Sequence, residues 1–262
     1  MRTFLPLLAL LVAPWTAGGT SQLPCNYPPE QWCSSREIAA ACQVEEQCVE
    51  FQARKAGQPV AIQLFYEGLC GGCREFLVLE LFPTWLMLGE IMNVSLVPYG
   101  NAEEKNVSGK WEFTCQHGPD ECLVNLIETC VMHYLGEIKD YFPVIFCIES
   151  SRFVTNSTES CLQIYAPSLT MDKVMACANG DLGNQLMHQN ALLTEGLSPP
   201  HQYVPWILIN WGKHSDELQA EALEGLYNLI CRLYTGEKPV ACKCKNNERN
   251  SASIKAGSLC WH

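Results

Sequence analysis

Residues 60 to 76 read VAIQLFYEGLCGGCREF, and this stretch limits the possible folds of the chain more than any other. Val60 to Tyr66 is mostly apolar and β-prone, as expected of a strand covered on both faces. Cys70-Gly71-Gly72-Cys73 follows, and helix-forming residues continue from it, with Pro83 expected to kink or break the helix. A second strand is predicted over Val94 to Val97. Strand, CxxC turn, helix and strand predict an α/β protein with a thioredoxin-like fold.

The N-terminus indicates entry into the secretory pathway. Arg2, an apolar run from Phe4 to Ala13 and the small residues that follow have the layout of a cleaved signal peptide, assigned to residues 1–19. No later segment is apolar for long enough to predict a membrane span. Three sequons predict N-glycosylation, at Asn93, Asn106 and Asn156. The net charge of −11, with no dense basic patch, argues against a nucleic-acid partner.

The CGGC motif has three interpretations in such a chain: a redox pair, half of a zinc site, or one of several structural disulfides. Sixteen cysteines in an oxidising pathway make disulfides the default. A zinc site would need a second CxxC or a spaced histidine pair, and neither is present, so no metal and no cofactor are predicted. The position between a strand and a helix favours the redox pair.

Disulfide exchange requires a thiolate. Cys70 is predicted to lie at the helix N-terminus, where backbone N–H groups and the helix dipole stabilise a sulfur anion, so it is the predicted nucleophile. Cys73 is the predicted resolving thiol, since it can reach the Cys70 sulfur after a mixed disulfide forms. Arg74 is either a further positive charge or an ordinary surface residue. No histidine is assigned to catalysis.

Val204-Pro205 precedes another apolar strand, within HQYVPWILIN. In thioredoxin-fold proteins a cis-proline lies beside the CxxC at the start of a strand, and the residue before it offers backbone hydrogen bonds to an extended substrate. We therefore predict a cis bond here and substrate binding by Val204 and Pro205; an ordinary edge-strand proline is the alternative. Ser215 is then predicted to cap a further helix.

The remaining chain divides into segments with different compositions. Residues 20–57 hold a cluster of four cysteines and end at a Gly-Gln-Pro boundary. Residues 58–235 are the predicted thioredoxin-like domain, interrupted at about 103–198 by a cysteine-rich, largely helical insertion. Residues 236–262 are rich in Gly, Lys, Asn and Ser and are predicted to be a flexible tail.

Several motifs together resemble the gamma-interferon-inducible lysosomal thiol reductase family. CQHGPDECLVNLIETC, at residues 115–130, is similar to the family signature, and LFYEGLCGGCR, VPYGNA, QLMHQNA and PPHQYVPW are similar to other family segments. The similarity covers residues 60 to 235. It has one departure: Trp211 stands between Asn210 and Gly212, where the family usually has Asn-Gly. Residues 25–48 separately resemble a saposin A-type module.

This resemblance implies a lysosomal or late endosomal enzyme that reduces disulfides of endocytosed proteins and so assists unfolding, proteolysis and antigen processing. It also implies sorting by a mannose-6-phosphate receptor through the glycans, a small-thiol reductant, a precursor that can be secreted, and removal of both terminal segments. Two alternatives stay open: a secretory-pathway oxidase or isomerase with the same dithiol, and a non-catalytic, disulfide-rich lysosomal binding protein.

Overall fold

The computed structural model describes residues 25–54, 57–212 and 214–243. The predicted signal peptide and residues 244–262 lie outside the described residues. The chain divides into two compact units, Met1–Ala53 and Arg54–His262, a few residues before the boundary expected at residue 57. Among the described residues, no helix is both long and apolar enough to cross a bilayer.

The first unit consists of short helices held by two disulfides. A 3-10 turn at Pro29–Gln31 precedes α1 (Arg36–Ala41) and α2 (Glu45–Arg54), and the Ser35 hydroxyl accepts the Ile38 N–H at the start of α1. Few side chains are buried here, so the bridges Cys25–Cys42 and Cys33–Cys48 replace much of an apolar core. The resemblance to a saposin A-type module stays a prediction.

A three-stranded sheet forms the centre of the second unit. Its strands are β1 (Val60–Tyr66), β2 (Met92–Pro98) and β5 (Trp206–Ile209), in the order β2-β1-β5, with β2 parallel and β5 antiparallel to β1. Alternate residues of β1 face opposite sides: Leu64 packs into the main core, whereas Phe65 packs against Val97 and Trp206. Both faces of β1 are covered, as its apolar sequence predicts.

The helix after β1 runs on through Pro83. It comprises α3 (Gly71–Glu75), a π-helical turn (Phe76–Leu81) and α4 (Phe82–Leu88). No break occurs at Pro83, the second residue of α4, and the departure from regular α geometry is the π-helical turn that ends directly before α4. A parallel β-α-β unit followed by β5 and a final helix is the thioredoxin-like arrangement.

The insertion between β2 and β5 begins as a hairpin and not as a helix. β3 (Glu103–Val107) pairs antiparallel with β4 (Lys110–Thr114), and positive φ angles at Ser108 and Gly109 form the turn. Five helices follow, which confirms the largely helical character of the rest: α5 (Pro119–Leu135), α6 (Ile138–Ser150), α7 (Val154–Tyr165), α8 (Met171–Ala178) and α9 (Asp181–Glu195).

The folded chain extends further beyond the C-terminal helix than the sequence predicts. α10 (Asp216–Leu233) begins with the predicted Ser215 cap, and α11 (Val240–Lys243) follows it. A flexible tail was expected from residue 236, but residues 236–243 belong to the folded unit. The Cys231–Cys242 disulfide and the hydrogen bond from the Tyr227 hydroxyl to the Ala241 carbonyl attach α11 to α10.

Candidate active site

Two thiols stand apart from the other cysteines. Fourteen cysteines lie in the described residues, and twelve of them form six disulfides, leaving Cys70 and Cys73 free. The four bridges of the second unit are Cys115–Cys122, Cys130–Cys177, Cys147–Cys161 and Cys231–Cys242. Between residues 25 and 243 the described chain therefore has one dithiol, at the place where the sequence has a CxxC.

Cys70 occupies the N-cap position of α3. Its backbone is extended, and its sulfur accepts the Cys73 N–H at 3.4 Å. The side chain is partly exposed, and nothing would meet a Cβ added at Gly71, so the approach in front of the sulfur is open. Glycine is thus not needed at residue 71 for a tight turn; its effect is to leave space.

The surroundings of Cys70 favour its thiolate. The thiol of Cys73, the N–H groups of Cys73 and Gly72, and the charge of His117 together lower the pKa of Cys70 to about 6, against the opposing effect of burial. At pH 5 a thiol with this pKa is about one-tenth ionised, compared with about one part in ten thousand for a thiol of pKa 9. Cys70 can therefore act as a nucleophile in acid.

Cys73 has the opposite environment. Its side chain is fully buried, and this burial raises the pKa of the Cys73 thiol far above that of Cys70. A thiol that stays protonated and donates towards Cys70 stabilises the neighbouring thiolate. The two positions of the motif are thus chemically unequal, as the assignment of nucleophile and resolving thiol requires.

Val204-Pro205 lies beside the dithiol, and its peptide bond is cis. The Cys70 sulfur is 3.8 Å from the Val204 carbonyl oxygen, and Pro205 Cδ would lie 3.6 Å from a Cβ added at Gly72. Gln219 of α10 fixes this segment, because its amide donates to the Pro205 carbonyl and accepts the Ile207 N–H. The geometry brings all four of the predicted catalytic and substrate-binding residues together.

Three residues that the sequence interpretation did not assign adjoin the same site. Glu121 accepts the His117 backbone N–H at 3.0 Å through Oε1 and contacts His117 Nδ1 at 2.6 Å through Oε2. Glu67 Oε2 lies 3.4 Å from the same Nδ1, and Glu67 Oε1 accepts the Asn101 N–H. The hydrogen bond between the side chains of His117 and Glu121 raises the pKa of His117. Burial raises the pKa of Glu67 to about 7. His117 is therefore held as a cation near Cys70.

The motif CQHGPDEC builds this arrangement. The Cys115–Cys122 bridge closes the loop that carries His117, and Glu121 lies in the first turn of α5. Further along α5, the Asn125 side-chain oxygen accepts the Gly68 N–H at 2.9 Å and so holds the turn that leads into Cys70. Only the i, i+4 spacing of His117 and Glu121 was a signal in the sequence; it does not show that Cys70, 47 residues earlier, lies nearby.

A second acidic pair is buried behind the dithiol. Glu128 accepts the Tyr66 hydroxyl at 2.6 Å, and Glu149 faces both Glu128 and Arg74. Arg74 donates to the carbonyl oxygens of Glu149 and Ser151, so it is neither a free surface cation nor a direct partner of the thiolate. Burial raises the pKa of both carboxyls, that of Glu128 to about 7.

One cluster in the described part of the chain has the composition of a metal site. Ligand atoms of Glu67, His117 and Glu121 all lie within 4.8 Å of one another, and neither CGGC thiol belongs to the group. Hydrogen bonds among the three side chains and to the Asn101 N–H already account for this proximity. The absence of a metal stays a prediction.

The three sequon asparagines are exposed, on β2, on β3 and on α7. Exposure is necessary for a glycan to be present on the folded protein, so these positions suit Asn93, Asn106 and Asn156. N-glycosylation itself stays a prediction.

Comparison with known proteins gives one consistent result. The family described as gamma interferon inducible lysosomal thiol reductase matches residues 61–165. The gamma-interferon-inducible lysosomal thiol reductase of Carassius auratus is 57% identical over 218 residues, covering 83% of this chain and 84% of that protein. That of Mus musculus is 46% identical, covering 80% and 82%, and a gamma-interferon-responsive lysosomal thiol protein of Arabidopsis thaliana is 35% identical, covering 77% and 82%. Among solved structures, DsbA of Chlamydia trachomatis is similar with a TM-score of 0.43 and 15% identity, covering 64% of this chain and 86% of that one. The chain belongs to the gamma-interferon-inducible lysosomal thiol reductase family.

Proposed function

We propose that the protein is a lysosomal thiol-disulfide reductase that cleaves disulfide bonds of endocytosed proteins. The observation that carries this proposal is the unequal dithiol: a partly exposed Cys70 with a pKa of about 6 next to a buried, protonated Cys73. Its relatives are named lysosomal thiol reductases, and a thiolate that persists in acid is what such a compartment requires.

The reaction proceeds in two exchanges. The Cys70 thiolate attacks one sulfur of the substrate disulfide, forming a Cys70–substrate bond and releasing the other sulfur as a thiolate, which takes up a proton. Cys73 then loses its proton and attacks the Cys70 sulfur, so that the Cys70–Cys73 disulfide forms and the second substrate thiol leaves. Two electrons have passed to the substrate. A small-thiol reductant must then supply two further electrons, opening the Cys70–Cys73 disulfide and becoming a disulfide itself, before the next turnover.

Neighbouring groups have separate tasks in this scheme. The charge of His117, held by Glu121 and Glu67, favours the attacking thiolate. The Val204 carbonyl and Pro205 form the edge beside the sulfur, where an extended substrate backbone would lie. These assignments rest on contacts at the site and extend the roles predicted for Val204 and Pro205.

The wider setting follows from the family. Opening disulfides assists unfolding and proteolysis, and thereby antigen processing. Glycans on Asn93, Asn106 and Asn156 would carry the mannose-6-phosphate mark read by its receptor, with part of the precursor secreted. The terminal segments would be removed during maturation.

Turnover of a disulfide-bonded test protein between pH 4 and 7.5, with Cys70 alkylation followed by mass spectrometry, tests the proposal. We expect reduction at acid pH that fails in Cys70→Ser. The equilibrium of the dithiol with glutathione, measured in parallel, separates a reductase from an oxidase or isomerase. No turnover in either direction would leave a non-catalytic binding protein.

A further inference from the structure

A shallow groove of about 350 Å³ opens beside the dithiol, between the CGGC helix and α10. Phe76, Leu79 and Leu223 supply its apolar surface. Leu79 is 62% exposed and Leu223 is 41% exposed, which is costly for two leucines that share one groove. Two exposed leucines in one concave groove offer an apolar surface on which a side chain of another molecule can be buried.

The groove is continuous with the redox site. Gly72 and Pro205 line the groove. The same two residues flank the dithiol, because Gly72 lies within the CGGC motif and the Pro205 peptide follows the Val204 carbonyl that contacts Cys70. A polypeptide whose disulfide is attacked by Cys70 therefore has the groove within reach of the residues next to its cystine.

The rim of the groove is acidic. Glu75 is exposed, and Glu80 is partly exposed. α10 departs from helical geometry at Gly225, and Glu80 accepts the N–H of Leu226 at 3.0 Å, which fixes its carboxylate at the rim. No basic residue lines the groove within the described part of the chain. The rim therefore complements a cationic side chain.

We propose that this groove is a substrate subsite that takes a large apolar side chain, accompanied by a Lys or Arg, from an extended segment next to the reacting cystine. The inference rests on the proposed function and narrows its substrate class. Large apolar side chains are mostly buried in folded proteins and become accessible when a protein unfolds, so the subsite favours disulfides in unfolding chains.

Two cystine-bridged peptides test the subsite, one with Leu and Lys within three residues of the cystine and one with Ser in place of Leu. Wild-type enzyme should favour the Leu peptide by about tenfold in kcat/KM, equivalent to ~1.4 kcal/mol. The double variant Leu79→Ser/Leu223→Ser should bring this ratio close to one. Leu192 on α9 is 50% exposed, between the values of the two groove leucines, so Leu192→Ser is the matched control and should keep the preference.

A second arm tests the charge. Glu75→Lys should reverse a preference for Lys over Glu at the neighbouring peptide position. A wild-type kcat/KM ratio near one for the Leu and Ser peptides would overturn the proposal. So would a preference for the Leu peptide that survives the double leucine substitution. Wild-type reduction of glutathione disulfide, measured alongside, reports on the reductase function itself, so a failed subsite and a failed enzyme give different results.

Discussion

The buried carboxyl of Glu128 makes a quantitative prediction about stability and pH. Burial raises the pKa of Glu128 from 4.5 to about 7 in the folded protein, where Tyr66 on β1, Glu149 on α6 and Arg74 on α3 surround it. The folded state therefore holds a proton that the unfolded state has already lost between these two values. Its contribution to stability is complete below about pH 4.5 and is lost as the pH rises through about 7.

The size of the effect follows from the same two values. The interval between 4.5 and about 7, at ~1.4 kcal/mol per pH unit, corresponds to about 3 kcal/mol of unfolding free energy. In Glu128→Gln an amide that cannot titrate replaces the carboxyl and can still accept the Tyr66 hydroxyl. Between pH 4.5 and 8, the free energy of unfolding of the variant should therefore fall by about 3 kcal/mol less than that of wild type.

Urea unfolding at half-unit pH steps, without reductant so that the disulfides persist, measures this difference. Glu112→Gln, an exposed glutamate on β4, is the control and should follow wild type. Parallel stability curves for wild type and Glu128→Gln would show that the buried carboxyl is not the titrating group, and would refute the reasoning.

Three further outcomes are expected. Cys73→Ser should accumulate a mixed disulfide with substrate on non-reducing gels, whereas Cys70→Ser should not; trapping by Cys70→Ser alone would reverse the two roles. His117→Asn should move the midpoint of Cys70 alkylation above about pH 6, because a cation near the thiolate is lost. His133→Asn, at an exposed histidine, is the control and should leave the midpoint unchanged. Equal midpoints for wild type and His117→Asn would show that His117 does not lower the pKa of Cys70. Peptide-N-glycosidase should lower the mass of the secreted or lysosomal protein by up to three glycans, and an unchanged mass would contradict the sequon assignment.

Local patterns in the sequence predict the core of the fold well. The apolar run of β1, the CGGC position at a helix start and the Ser215 cap each depend on a few neighbouring residues, and all three are present in the structure. The hairpin of β3 and β4 was missed because β3 is almost wholly polar and exposed; the alternation of Trp111 and Phe113 with polar residues in β4 is the signal that could have found it.

The candidate site was predictable only in part, for a physical reason. Cys70 and Cys73 are only three positions apart in the sequence, and the CxxC motif identifies both. Glu67, His117 and Glu121 meet only because the Cys115–Cys122 loop and α5 pack behind the turn at Gly68. A contact of that kind depends on long-range packing, which spacing along a single chain does not report.

The six disulfides make each molecule a possible target of its neighbours. Thiol attack requires a clear path to a sulfur atom, and Cys130 and Cys177 are almost fully shielded from solvent. Cys231 and Cys242, which attach α11 to α10, are partly accessible. Cys25 is exposed and its partner Cys42 is partly exposed, so thiol attack by a neighbouring molecule would begin at that bridge of the first unit and reach the C-terminal bridge next, while the bridge inside the helical insertion endures.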